Sequence, residues 1–237
     1  MANSAPTALA LTEFSALLDR GEAISNRDCS QLDLSGRDLT GGIFEKVKFV
    51  GADLTAADLR EVLFVDCDLT GAKFDHANLR RIVFNQCKLS GASFTHAHLN
   101  CGIVNECSAA AATFAHADLT RASFTSCDLE AAILRDAVLL QTNFLSAKAT
   151  GIDLRGVHLS QCVWLDSDFT QTQLEGCHFD KCVLNGGGFT KLTLSSVKFS
   201  QCQLMNGRPH GCGPDRFQTS RLQFQVGQVA AVQARFG

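Results

Sequence analysis

Tyrosine is absent from these 237 residues, tryptophan occurs once and proline three times. Charge is also sparse: 19% of residues are charged and the formal net charge is −3. That balance argues against a nucleic-acid-binding surface of the usual basic kind, and no direct nucleic-acid binding is expected. No stretch approaches the ~18 consecutive apolar residues that would indicate a membrane-spanning helix. The opening MANSAPTALALTEF has neither a basic n-region nor a long apolar run, so no signal peptide is expected either. A glycine-rich phosphate loop and a CxxC pair are both missing. Ser, Thr and Asp are common, but no Ser/His/Asp set stands out. The chain is expected to be no enzyme and to need no cofactor.

What is present is a hydrophobic content of 46%, with 17 Phe and 11 Cys. The apolar residues are strictly ordered. Every fifth residue from Leu34 to Leu204 gives a series of 35 positions: 18 Leu, 13 Phe, and Val104, Ala109, Ala149 and Trp164. A period of five suits neither regular element. On an α-helix it leaves a stripe that wanders around the axis. On a flat strand it sends alternate repeats to opposite faces. The chain must therefore turn regularly. The position two residues before each centre is mostly small, as in Ala52, Ala57, Val62, Cys67, Ala72, Ala77, Ile82 and Cys87. Residues two apart share a side of an extended segment. Each repeat then reads as a short strand with one large (i) and one small (i−2) inward side chain, followed by a corner.

The units GADLT (51–55), HANLR (76–80), GASFT (91–95) and HADLT (116–120) resemble the pentapeptide repeat A-(D/N)-L-x-x. The resemblance covers about residues 30–205. It implies an all-β solenoid, a right-handed quadrilateral β-helix of about 8–9 coils, with i−1, i+1 and i+2 outside. The 20-residue coil has its own support in the sequence. Cys67, Cys87, Cys107 and Cys127 are spaced by 20, as are Cys162, Cys182 and Cys202. At ~4.8 Å per rung the rod is about 40 Å long.

Eight of the eleven Cys, including Cys177, take inward i−2 positions. Stacked neighbours ~4.8 Å apart miss the ~3.8 Å between Cβ atoms that a disulfide wants. They are expected to be buried and reduced, which suits a cytoplasmic protein. Cys29, Cys101 and Cys212 lie off this ladder and are expected to be more reactive.

The ends depart from the repeat. Residues 1–29 form an N-terminal cap and lead-in, with a short helix over 7–20 whose apolar set is Leu9, Leu11, Phe14, Leu17 and Leu18. Gly21 stops it, and Ile24 and Cys29 are already in phase. Residues 206–237 form a C-terminal tail. RLQFQV (221–226) alternates like a strand and QVAAVQARF (228–236) suits a short helix. The tail either caps the rod or joins two rods as a homodimer, which is what such segments often do in proteins of this kind.

Two outward columns are candidate sites. His76, His96 and His116 are spaced by 20 and form a ladder, followed by Asp136. They are weak metal candidates, since three imidazoles could splay around one ion, and solvated i+2 residues are the plainer reading. The i−1 column Ile43, Leu63, Val83, Ile103 makes one face apolar for four consecutive rungs. Exposed apolar patches usually mark a contact, so these four are the partner-binding candidates.

The function expected is a non-enzymatic protein-interaction scaffold with a partner of unknown identity. A first alternative, implied by the resemblance, is a DNA mimic that binds or protects a topoisomerase such as gyrase. Duplex DNA would carry roughly 23 negative charges over about 40 Å. Residues 30–204 hold 19 acidic and 15 basic residues, a net of −4. A second alternative is an accessory or effector-associated protein of a bacterial secretion system of type VI, because the lead-in FSALLDRGEAISNRDCSQLDLSGRDL loosely resembles such proteins.

Overall fold

Two inward side chains in every five residues oblige the backbone to turn once per repeat, and the turn falls at i+2. In the computed structural model, which describes residues 7–8, 11–185, 196–205 and 223–224, that residue has a positive φ of 50–73° along the rod. Glycine meets this requirement without strain at Gly51, Gly71 and Gly91. At Arg81, His96 and Gln141 a side chain is carried in the left-handed region. Four such sides close a parallel β-solenoid of about 8 turns, with each residue in register with the one 20 ahead.

The four sides are not equivalent. The Phe44 side is a ten-stranded parallel sheet of short strands, from Ile24–Ser25 and Ile43–Glu45 through Leu63–Val65, Val83–Asn85, Ile103–Asn105 and onward to Gln203–Met205. The Leu59 side becomes strand only from Val138–Leu140 onward, and Gln223–Phe224 pairs at its far end with Lys198–Phe199. The other two sides are joined by isolated parallel bridges.

The inside is filled by stacked centres. Phe44, Phe64 and Phe84 lie 5.0 and 5.2 Å apart, and Phe74, Phe94 and Phe114 lie 4.8 and 4.7 Å apart. All are fully buried. The N-terminal opening is covered by the helix Leu11–Asp19, whose Phe14 stacks on Phe44 at 5.9 Å and meets Phe49 edge-on at 6.4 Å. The helix is shorter than the sequence suggests. Thr7–Ala8 pair instead with Arg27–Asp28, because the open backbone edge of the first coil offers hydrogen bonds that a frayed helical turn does not. The expected tail helix at 228–236 and Cys212 lie outside the described residues.

The cysteine columns follow from corner geometry. At most corners the centre's carbonyl accepts a turn hydrogen bond from the amide three residues on, as in Ala52 N–H to Phe49 O at 3.0 Å. The corners after the strands of the Phe44 side lack this bond, and at most of them a side chain from the next coil is inserted instead. Cys107 Sγ accepts from Cys87 N–H at 3.4 Å and donates to Phe84 O at 3.6 Å. Ser167 Oγ accepts from Ala147 N–H at 3.2 Å and donates to Phe144 O at 3.3 Å. Cys67, Cys87 and Cys127 donate likewise to the centre of the coil before. When the Leu59 side turns to strand, Cys162, Cys182 and Cys202 take up the same task there, while Thr142 donates to Leu119 O beside the turn bond from Ala122 N–H. All ten described cysteines are free thiols. Burial pushes Cys127 up to about 12.

Cys87→Ser is therefore expected to stay within about 1 kcal/mol of the parent. Cys87→Ala leaves the Phe64 carbonyl buried without that donor and is expected to lose about 1–2 kcal/mol. Urea unfolding of the two variants checks this, and equal losses would show that the thiol serves only as volume.

Cys29 corrects an expectation. It is in phase with the centres, so it points inward, is buried, and is pushed by that burial up to about 12. It is not a reactive thiol. Cys101, at an i+2 corner, is exposed.

Candidate interaction surface

Aspartate at i−1 has a structural job on three of the four sides. Its Oδ1 accepts the i+1 amide, as in Thr55 N–H to Asp53 and Thr120 N–H to Asp118, both at 3.0 Å. Ser35 gives Asp33 both its hydroxyl and its amide, which holds that carboxyl below its ordinary value. On the Phe44 side the i+1 residue lies within the strand ladder, so the i−1 side chain is released from this duty. Released positions can carry anything. Here they carry Ile43, Leu63, Val83 and Ile103, which are successive register partners on the outer surface of the ten-stranded sheet. Ile43 and Ile103 are 45% and 48% exposed, and Leu63 and Val83 are half-buried against their neighbours.

The surface extends beyond those four. Val65 adds to the first apolar patch, and Leu145, Val163, Leu165 and Val183 form a second one farther along. Between them lies a neutral polar stretch in which Asn105 Nδ2 donates to Asn85 Oδ1 at 2.9 Å. Of the fifteen i−1 and i+1 positions from Ile43 to Val183 with described side chains, Glu45 alone is charged.

Elsewhere carboxylates are common and several have a cationic partner. Asp58 pairs with Arg60 at 2.7 Å, Asp68 with Lys88 at 3.5 Å and Asp128 with Lys148 at 3.8 Å, while Lys148 also meets Glu130. Asp153, 6% exposed, is held between Arg135 at 2.7 Å and Arg155 at 2.8 Å. No side is a continuous line of unpaired negative charge among the described residues.

His76, His96 and His116 do form a ladder. Their rings stack at 4.9 and 4.7 Å and 9° from parallel. Flat stacking directs the in-plane nitrogen lone pairs alongside one another instead of toward a common point. Among the described residues no group of three His, Cys, Asp or Glu is placed to hold a metal ion. His158 and His178 stack similarly at 4.7 Å, and His178 Nε2 lies 3.1 Å from Ser200 Oγ on the open outer face of a sheet. Burial lowers the His178 imidazole.

One feature escapes the sequence reading. Val138 and Leu140 are exposed at 51% and 38% where the Leu59 side first becomes strand, and Ile133, 39% exposed, stands on the side before it. The signal was available, because the column Asp38, Asp58, Asn78, His98, Asp118 turns apolar at Val138.

Family comparison agrees with this architecture. A model of the pentapeptide repeat region matches residues 37–114. A model of pentapeptide repeats in eight copies matches 105–139, 122–161 and 165–201. No curated protein sequence matches. Among solved structures, trypsin-treated QnrB1, described as a plasmid-mediated fluoroquinolone resistance protein, is 22% identical. It covers 84% of this chain and 92% of its own, with a TM-score of 0.64. Full-length QnrB1 gives a TM-score of 0.55 at 22% identity over 84% and 94%. HetL from the cyanobacterium Nostoc sp. strain PCC 7120, a pentapeptide repeat protein involved in heterocyst differentiation regulation, is 18% identical over 85% and 93%, with a TM-score of 0.43.

Proposed function

The chain belongs to the pentapeptide repeat family, and from that premise we propose that it is a non-enzymatic protein-interaction scaffold whose contact surface is the Phe44 side. The observation that carries this reading is the run of four register-paired, uncharged aliphatic side chains, Ile43, Leu63, Val83 and Ile103, on the outer surface of the ten-stranded sheet, longer than the exposed apolar group formed by Ile133, Val138 and Leu140. Apolar patches of this extent on an otherwise polar surface usually mark contacts. The buried, reduced thiol columns support a cytoplasmic setting. A topoisomerase-directed DNA mimic is the weaker reading. About 40 Å of duplex carries roughly 23 charges, against a net of −4 over residues 30–204, and many carboxylates here have a cationic partner.

The test is affinity capture from the source cell, with the parent protein beside the Leu63→Asp/Val83→Asp variant. Both side chains lie on the outer surface, so the variant is expected to stay folded, as Trp164 emission reports, while losing its partner by tenfold or more, about 1.4 kcal/mol. A partner held equally by both proteins would remove the Phe44 side from consideration.

A further inference from the structure

Cys182 and Cys202 hold the same i−2 position on successive coils, and their sulfur atoms make the same contacts. Cys182 Sγ lies 3.4 Å from Leu159 O and 3.4 Å from Asp180 O. Cys202 Sγ lies 3.4 Å from Phe179 O and 3.4 Å from Ser200 O. Those carbonyls belong to register partners, Leu159 with Phe179 and Asp180 with Ser200. Matching contacts on successive rungs set the two sulfurs one rung apart, ~4.8 Å along the rod. We propose that this pair is a binding site for a soft, two-coordinate metal ion held in line between the sulfurs, with Hg(II) the ion that suits it best.

Two thiolate–metal bonds of the usual ~2.3 Å span about 4.6 Å end to end. The rung repeat therefore separates the sulfurs by the length of a linear S–metal–S unit, while holding them too far apart for a disulfide. Thiolate ligands select soft ions. A tetrahedral ion such as Zn(II) needs more ligands, and among the described residues no group of three His, Cys, Asp or Glu is placed to hold one. Charge selects further. Binding forms two S–metal bonds, breaks two S–H bonds and releases two protons. A divalent ion leaves a neutral unit in the apolar interior, whereas a monovalent ion leaves a costly negative charge there. The Leu159 and Phe179 carbonyls give up only weak S–H donors.

Access picks this pair out of the thiol columns. Cys67, Cys87, Cys107 and Cys127 repeat at the same spacing, but they are 1–2% exposed, and buried Val47 and Ala147 close their column at either end. Cys202 is partly exposed and Cys182 is the next thiol inward. Cys162 lies deeper and is set differently, 3.1 Å from Leu139 O and 3.6 Å from Ser160 O. An ion entering at Cys202 meets Cys182 first, and once bound it ties two successive coils together.

The test uses the full chain with Cys101→Ser and Cys212→Ser, which removes the exposed corner thiol and the thiol of the tail. Mercuric chloride is added at one equivalent with an excess of 2-mercaptoethanol as competitor, and the mercury that stays with the protein is measured after gel filtration. One ion per chain is expected to be retained, with two sulfur neighbours at ~2.3 Å by X-ray absorption. Cys182→Ser leaves Cys162 and Cys202 two rungs, ~9.6 Å, apart, and its hydroxyl can still donate to Leu159 O. It is expected to lower retention at least tenfold, while Cys87→Ser in the sealed column leaves retention unchanged. Trp164 emission before metal is added verifies that each protein is folded. The proposal is overturned by a parent that yields all its mercury to the competitor, by a folded Cys182→Ser variant that retains mercury as the parent does, or by a Cys87→Ser variant that loses it equally. A sulfur count other than two in the parent overturns it without any variant at the site.

Discussion

Phe84→Ala is expected to cost about 3–5 kcal/mol of unfolding free energy, in the range for burying a cavity where a core phenylalanine stood. The ring is fully buried, stacks on Phe64 at 5.2 Å and meets Phe74 and Phe94 edge-on at 5.9 and 6.1 Å. On its other side the column already steps down to Val104, so no ring stacks there to fill the void. Nor can the coils collapse onto it, since rung spacing is held by backbone bonds such as Val83 N–H to Val62 O and Ile103 N–H to Ile82 O, both 2.9 Å. Phe84→Leu, which puts the commonest centre in that place, is expected to cost about 1–1.5 kcal/mol. Trp164, buried and the sole tryptophan, reports the transition in urea. A Phe84→Ala loss below 1 kcal/mol would mean that the coils can repack around a missing ring.

Phe14→Ala removes as large a ring but is expected to act locally. Phe14 covers Phe44 and Phe49 at the open end of the rod. Its loss of about 3 kcal/mol falls on the first coils, because a solenoid's stability is close to a sum over nearest-neighbour interfaces. Amide exchange over residues 24–45 is expected to quicken while the Trp164 transition barely moves, since the two are separated by six coils. A Trp164 transition displaced as far as by Phe84→Ala would show instead that the whole rod unfolds as one unit from its cap.

These contrasts show which parts of the structure a sequence displays. The period of five is written directly in the side chains, because each centre from Leu34 to Leu184 with a described side chain must point inward and none can be traded for a polar group. The stacking of Phe14 on the first coil was legible too, from an apolar set with no other core to join. The Thr7–Ala8 pairing was not, since its cause is an open sheet edge supplied by Arg27–Asp28 far along the chain. Corner type was half-legible. Cysteine or hydroxyl at i−2 often marks corners without the turn bond, but Thr172 and Cys177 stand at corners that have one, their amides 3.2 and 3.0 Å from Phe169 O and Leu174 O, and Val47 and Ala147 stand at corners that do not. For the candidate surface, the column from Ile43 to Ile103 was visible as a break in an otherwise polar alternation. The reason the break is permitted, that the strand ladder already occupies the i+1 amides, needed the hydrogen bonds. The histidine ladder was legible as a ladder, while the flat stacking of its rings was not.

The claim that the Phe44 side is the contact surface is tested most directly by hydroxyl-radical footprinting of the protein alone and with a captured partner. Ile43, Leu63, Val83 and Ile103 are expected to lose reactivity on association, with Val138 and Leu140, exposed on the adjacent Leu59 side, unchanged as internal controls. Protection of Val138 and Leu140 with Ile43 and Ile103 still fully reactive would contradict the assignment and move the contact to the Leu59 side.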